Sequence, residues 1–304
     1  MNSKNNHEAQ IISTYSRRML VRTDRNELFS AKIEGKLLKP VCGDIVEIEK
    51  KHNEPDFIIT KILPRKNSLV RKNKYDNKEI LASNLSEIVV VIGKPPSPDW
   101  FLIDKYIGSA EKMQIDASII CNKSDLNWID DSIRSNLAVY SKIGYKIIEC
   151  STTQNKNLAE IKDYLSKKTA IFVGQSGVGK SSIINSLSEY SNLKTQSISL
   201  AKKEGKHTTV NSNLIDLPND GYVIDSPGVR DYLPDFNHEN EASISFKEIH
   251  NFGLNCRYND CMHIKEQECI VKFAVSEGKI NERRYESYKR LVNKIKSSEN
   301  KKNY

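Results

Sequence analysis

No run of apolar residues in this 304-residue chain approaches the roughly 20 that a bilayer-crossing helix needs. The N-terminal stretch Met1 to Gln10 is polar and holds no apolar signal core. No membrane contact is therefore expected, and a cytoplasmic location is. Cysteine is sparse, with six in the whole chain. Cys42, Cys121 and Cys150 are scattered, too dispersed for a disulfide framework, and read as small buried hydrophobes. Internal repeats are absent, and the only biased tract is the Lys/Asn-rich tail, Lys296 to Tyr304.

Positive charge is in excess. Lys and Arg number 47 against 39 Asp and Glu, a formal net charge of +8. One basic run comprises Lys61, Arg65, Lys66, Arg71, Lys72, Lys74 and Lys78. A second comprises Arg283, Arg284, Lys289, Arg290, Lys294, Lys296, Lys301 and Lys302. Such clusters suit a polyanion such as RNA, or else form solvated charged faces. The length suits two or three domains of about 100–150 residues.

Short strand-like runs come first: Met19 to Val21, Leu28 to Ile33, Asp44 to Ile48 and Phe57 to Ile59. Val46 and Ile48 alternate with Ile45, Glu47 and Glu49, as in a half-buried strand. Several short strands within about sixty residues predict a small OB-fold barrel, which binds oligonucleotides or is purely structural. From Glu87 the pattern becomes α/β. Ile88 to Ile92 is continuously apolar, as in a strand buried on both faces. A helix is expected from Asp99, with Phe101, Leu102, Tyr106 and Ile107 on one side. Strands follow at Ser118 to Cys121, Tyr145 to Ile148, Thr169 to Val173 and Tyr222 to Ile224, with helices at Leu158 to Leu165 and Ser182 to Leu187. Ligands are expected at the carboxyl ends of these strands. After Pro234 no pattern is visible until a helix over Arg283 to Ile295. Three units are predicted: an OB-fold RNA-binding barrel over 1–68, a nucleotide-binding α/β unit over 69–235 and a metal-binding unit with helices over 236–304.

Gly174-Gln175-Ser176-Gly177-Val178-Gly179-Lys180-Ser181 is a complete G-x-x-x-x-G-K-[ST] phosphate loop between an apolar strand and a helix opened by Ser182. Its glycines let successive N–H groups face phosphates, Lys180 reaches the β- and γ-phosphates, and the Ser181 hydroxyl can ligate Mg²⁺. Asp225-Ser226-Pro227-Gly228 fits D-x-x-G, with Asp225 on Mg²⁺ through water and the Gly228 N–H sensing the γ-phosphate. Gly205-Lys206-His207-Thr208-Thr209 fits a first switch, where Thr208 or Thr209 completes the metal shell. Asn122-Lys123-Ser124-Asp125 is the N-K-x-D that reads guanine. The Asp125 carboxylate accepts from N1–H and N2–H₂, and adenine lacks that donor pair. Ser151 lies where a further base-contacting loop belongs. The guanine motif precedes the phosphate loop, the order of a circularly permuted GTPase. Val229 stands where many GTPases carry a water-orienting Gln. His207 is the nearest substitute, or else an exposed loop histidine.

Cys256, Cys261, His263 and Cys269 form C-x4-C-x-H-x5-C. Three thiolates and one imidazole make a closed tetrahedral set suited to one structural Zn²⁺.

Taken in order, these motifs resemble the bacterial RsgA (YjeQ) family of small-ribosomal-subunit biogenesis GTPases, over about Ile11 to Ile295. The resemblance implies an OB-fold, a permuted GTPase domain and a zinc domain, with hydrolysis of GTP to GDP stimulated by the small (30S) subunit during its late maturation. It implies ribosomal RNA as partner, and His207, in the first switch, as the catalytic group. The family commonly has Arg before that His, and here Lys206 keeps the charge but loses the fork. A monomer is expected. The alternative is an RNA-binding assembly scaffold whose nucleotide site is only regulatory, which the intact Lys180, Ser181 and Asp225 argue against. An RNA-modifying GTPase would need a further catalytic domain, and none is visible.

Overall fold

The computed structural model describes residues 6–15, 18–34, 38–51, 54–72, 77–188, 212–226, 232, 234, 236 and 238–302. Strands β1 (Asn6–Tyr15), β2 (Arg18–Thr23), β3 (Leu28–Ile33), β4 (Ile45–Glu49) and β5 (Phe57–Ile62) close a five-stranded barrel. The ten residues of β1 are long enough to pair antiparallel with both β2 and β4, which closes the ring. β3 and β5 pair in parallel, and the remaining neighbours are antiparallel. This is the OB-like arrangement expected. The interior holds Ala9, Ile11, Met19, Val21, Ala31, Val46, Ile48 and Ile59. The first half of β1 gives no strand signal in the sequence because it turns only Ala9 inward among polar neighbours.

A hairpin of β6 (Ser68–Lys72) and β7 (Lys78–Ser83) follows, which composition did not reveal. The central sheet has the order β10-β9-β8-β11-β13-β12, from β8 (Glu87–Ile92), β9 (Asp116–Cys121), β10 (Lys146–Glu149), β11 (Thr169–Val173), β12 (Asn213–Asp216) and β13 (Tyr222–Asp225). Only β12 runs antiparallel. Helices α1 (Trp100–Met113) and α2 (Asp131–Ile143) cover one face, and α3 (Leu158–Tyr164) and α4 (Lys180–Ser188) the other. β8 is buried throughout: Ile88, Val90 and Ile92 meet the α1 side, and Val89 and Val91 the α3–α4 side. Asp99 caps α1 by accepting from the Leu102 N–H at 3.0 Å.

The C-terminal region is more regular than expected. Besides the long α8 (Glu282–Lys302) it forms α5 (Glu239–Ile244), α6 (Lys247–Gly253) and α7 (Ile270–Ser276). Each of these is six or seven residues long, too short for a helical period to stand out. This lobe lies against α1, so α1 is buried nearly all round from Ile103 to Ala110. The one-sided stripe expected of α1 is therefore corrected: Phe101 and Leu102 are only half-buried.

The lobe is joined to α1 by buried charge. Arg284 donates to Asp104 at 2.8 Å and to both Glu248 oxygens at 2.7 and 2.8 Å, and Arg283 also reaches Asp104 at 2.8 Å. Burial alone would raise the Asp104 pKa, but the two guanidiniums hold it below the usual carboxylate range. Breaking one partner of such a network typically costs about 3–5 kcal/mol. Part of the expected basic surface is thus spent on pairs within the fold, with Arg284 alone fully buried among the described residues of the two runs. Arg283 and Arg284 serve the junction, Arg65 pairs with buried Asp44 at 2.6 Å, and Arg71 pairs with Glu79 at 2.9 Å. The barrel joins by a different route. The β1 backbone meets β12 at Ser13↔Asn213, with the Ser13 hydroxyl donating to the Asn213 side chain at 2.7 Å and Arg22 to Asp216 at 2.8 Å.

Candidate functional site

The parallel strands β8, β9, β10, β11 and β13 all end at one edge, and the polar motifs sit on the turns that leave it. The phosphate loop leaves β11 with Gly174, Gly177 and Gly179 at φ of +138°, +82° and +95°. A Cβ on Gly174 would collide with the Val91 carbonyl, and one on Gly179 with the Asn122 amide. The Lys180 ammonium lies inside the loop, donating to the Gly174 and Gln175 carbonyls at 2.7 and 2.8 Å. Gln175 accepts from the Asp99 N–H at 3.3 Å, which ties the loop to the start of α1. Lys180 and Ser181 share a cleft with Asp225 and Ser226 at the end of β13. A hydroxyl and a carboxylate facing one cleft beside the phosphate loop fit a Mg²⁺ that travels with a nucleotide. Ser176, Val178 and Ser182 fall within the loop and the first turn of α4, with the Val178 side chain buried.

Asn122 is buried at the end of β9 and braces two loops, since its amide donates to the Val178 carbonyl at 3.0 Å. It also accepts from the Cys150 thiol at 3.6 Å. Burial pushes that thiol up to about 12, so it remains a protonated donor. Lys123 donates to the Pro95 and Gly177 carbonyls at 2.8 Å each, which stretches its stem across the space between the guanine motif and the phosphate loop. Ser124 N–H donates to the Cys150 carbonyl at 2.9 Å. The Ser151 hydroxyl donates to Asp125 at 2.5 Å and contacts Thr153 at 2.9 Å. That hydrogen bond holds the Asp125 carboxyl below the usual carboxylate range. The structure therefore brings Asn122, Lys123, Asp125 and Ser151 together with the phosphate loop. Pro95 and Trp128, whose indole donates to the Asn122 carbonyl at 2.8 Å, are supports that sequence reasoning missed. Only the closeness of a rare Trp to the guanine motif could have hinted at the second.

His207, Thr208, Thr209 and Gly228 lie outside the described residues, as do Lys206 and Val229. Their flanks are described. The Ser212 and Ser226 hydroxyls meet at 2.8 Å, joining the start of β12 to the end of β13. Tyr232 is held by α1 through the Tyr106 hydroxyl at 3.1 Å and the Ser109 hydroxyl at 2.7 Å.

Cys256, Cys261, His263 and Cys269 offer ligand atoms that all lie within 4.8 Å of one another. Sulfur pairs stand at 3.8 and 3.9 Å, and His263 Nδ1 stands 3.4 and 3.6 Å from two sulfurs. Tetrahedral zinc, with bonds of about 2.3 Å to sulfur and about 2.0 Å to nitrogen, requires edges of about 3.8 and about 3.5 Å. The four residues thus fit a tetrahedral metal ion. The knot is pinned from behind: Tyr285 and Tyr288 on α8 donate to the His263 and Met262 carbonyls at 2.5 and 2.8 Å, and Glu266 accepts three backbone N–H groups. Gly253 is obligatory here, because a Cβ would stand 2.8 Å from His263 Nε2.

A phosphate loop and a guanine-reading loop on one sheet edge define a P-loop GTPase, and their sequence order makes it a circularly permuted one. The family model described as RsgA GTPase matches residues 62–233, and one described as 50S ribosome-binding GTPase matches 169–302. The chain is 34% identical over 93% of its length to the Small ribosomal subunit biogenesis GTPase RsgA of Actinobacillus pleuropneumoniae serotype 5b, covering 83% of that protein. It is 31% identical to the protein of the same name from Haemophilus influenzae, over 98% of this chain and 87% of that one. The crystal structure of YjeQ from Thermotoga maritima superposes with a TM-score of 0.76 at 29% identity, covering 95% of this chain and 98% of that chain. YloQ, described as a circularly permuted GTPase, gives 0.77 at 25% identity, with 97% and 96% covered. The chain belongs to the RsgA family and is a GTP hydrolase.

Proposed function

We propose that this GTPase binds the small ribosomal subunit late in its assembly, and that the subunit stimulates its hydrolysis of GTP. The observation that carries the reading is the match, over 93–98% of the chain, to proteins named for small-subunit biogenesis, joined to a cleft that gathers Lys180, Ser181 and Asp225. In this reading Asp125, aligned by Ser151, accepts from guanine N1–H and N2–H₂. Asn122 and Lys123 hold the guanine loop against the phosphate loop. Gly174 to Ser182 wrap the phosphates, and Lys180 turns from the loop carbonyls to the β- and γ-phosphates. Ser181 and Asp225, with Thr208 or Thr209, hold Mg²⁺, which neutralises phosphate charge, and the Gly228 N–H meets the γ-phosphate. Val229 has no group to orient water, so the free protein turns over slowly, and His207 supplies that function once the subunit brings it toward the γ-phosphate. The four-ligand knot holds one structural Zn²⁺, which shapes the lobe and takes no part in hydrolysis. The protein acts as a cytoplasmic monomer with ribosomal RNA as its partner surface, in units divided near residues 68 and 235.

The test is multiple-turnover GTP hydrolysis with small subunits, large subunits and free RNA in parallel. Stimulation by small subunits well above the other two supports the reading. Equal stimulation by large subunits, or none by any addition, overturns it.

A further inference from the structure

Between the nucleotide-binding sheet and the C-terminal lobe runs a groove of about 340 Å³, walled by α2, by α6 and by the turn from α7 to α8. Three lysines reach it from these three elements: Lys142, Lys247 and Lys279. All three are exposed, and among the described residues none has a carboxylate partner. Other lysines of α1, β10 and α8 are spent on ion pairs, Lys112 with Glu241, Lys146 with Glu160 and Lys296 with Glu239. The single carboxylate lining the groove, Glu248, is already neutralised by Arg284 at 2.7 and 2.8 Å. The groove is therefore cationic with no internal counter-charge. Its lining is not purely ionic, because half-buried Phe252 and Ile143 contribute an apolar surface with an aromatic ring.

We propose that this groove is an RNA-binding site that takes one or two nucleotides of an unpaired segment, with phosphates on Lys142, Lys247 and Lys279 and a base against Phe252. The chemistry favours RNA over an acidic peptide, since flexible cations around an aromatic ring match the alternation of phosphate and base. The proposal rests on the ribosomal-RNA reading above and adds a location to it. The two basic runs conspicuous in the sequence are partly consumed by internal pairs, whereas these three lysines are scattered in sequence and assembled only by the fold.

The test uses the full chain and a fluorescently labelled single-stranded RNA of mixed sequence, with affinity measured across a salt series. Lys142→Gln, Lys247→Gln and Lys279→Gln should each weaken binding about three- to tenfold and lower the log–log salt slope by roughly 0.7 for each lysine neutralised. Phe252→Leu should weaken binding about five- to a hundredfold with the slope unchanged. Unstimulated GTP turnover should stay at the wild-type rate in all four, since none lies in the nucleotide site. A triple lysine variant with wild-type affinity and slope overturns the proposal. So does a fall in slope with no effect of Phe252→Leu and equal competition by inorganic polyphosphate, which would make the groove a general polyanion site. Wild-type turnover with small subunits separates the two readings. If the subunit stimulates the wild type and the triple variant binds RNA normally, only the groove falls. If the subunit does not stimulate but the lysine effects appear, the groove stands and the ribosomal role falls.

Discussion

At the metal knot four ligand atoms lie within 4.8 Å of one another, pinned from behind by two tyrosines and a glutamate. At the nucleotide face the described motif residues hold each other along one side. Asn122 and Lys123 grip the phosphate loop, and Lys180 bonds to its own loop's carbonyls. With a metal ion held, the four ligands would close a tetrahedron and leave no position for a reactant. Among the described residues the nucleotide face is a cleft lined by Lys180, Ser181 and Asp225, with Lys180 resting on carbonyls of its own loop. The same chain thus carries a compact cluster suited to holding one ion and a cleft suited to the turnover of a GTP hydrolase.

The comparison breaks most sharply at Cys261. Cys261→Ala should lower metal content and loosen the lobe from about Phe236 onward, because structural zinc contributes on the order of 10 kcal/mol in small metal-folded units. Guanine-nucleotide affinity should largely survive. Zinc per chain and protease resistance check this, and full occupancy with unchanged protection refutes it.

On the nucleotide side the largest effect is expected at His207. His207→Ala should cut subunit-stimulated turnover by about 10²–10⁴-fold while GTP and subunit binding persist. If nucleotide affinity falls in parallel with rate, His207 is a binding residue instead. Next is base choice. Asp125→Asn should weaken GTP roughly ten- to a hundredfold and improve xanthosine triphosphate, whose C2 oxygen accepts from an amide. Equal wild-type affinity for ATP and GTP would remove the basis of that prediction.

The smallest effect tests how finely the nucleotide face is tuned. Ser151→Ala removes the hydroxyl that holds the Asp125 carboxyl below its usual range. The depressed pKa keeps Asp125 ionised as pH falls, so guanine binding survives to lower pH in the wild type. In the variant the carboxyl returns toward its ordinary value, and the acid limb of a GDP-affinity profile should move to higher pH. Affinity at neutral pH should drop only about two- to tenfold. An unmoved acid limb would show that Ser151 does not tune Asp125.

Both sites are legible in the sequence alone. Gly174 to Ser181, Asn122 to Asp125 and the Cys256 to Cys269 ligands are local patterns whose spacing carries their chemistry. The run Ile88 to Ile92 announces a strand buried on both faces, and β8 is one. Where the signal is spread or short, the sequence misleads. Helices α5 to α7 are each under two turns, and the outer half of β1 has a single inward residue. The C-terminal basic run looks like surface, yet Arg284 is fully buried.

The sequence by itself determined which groups are present and in what order: a guanine-reading loop ahead of a phosphate loop, and four soft ligands in one short segment. Those choices depend on neighbours along the chain. Only the tertiary structure decided which partners distant residues find, because packing pairs Arg284 with Asp104 across 180 positions and Asn122 with Val178 across 56. Burial then fixes their worth. A guanidinium removed from water must take a carboxylate from another helix, whereas Lys142, Lys247 and Lys279 stay in water and keep their charge open to a partner.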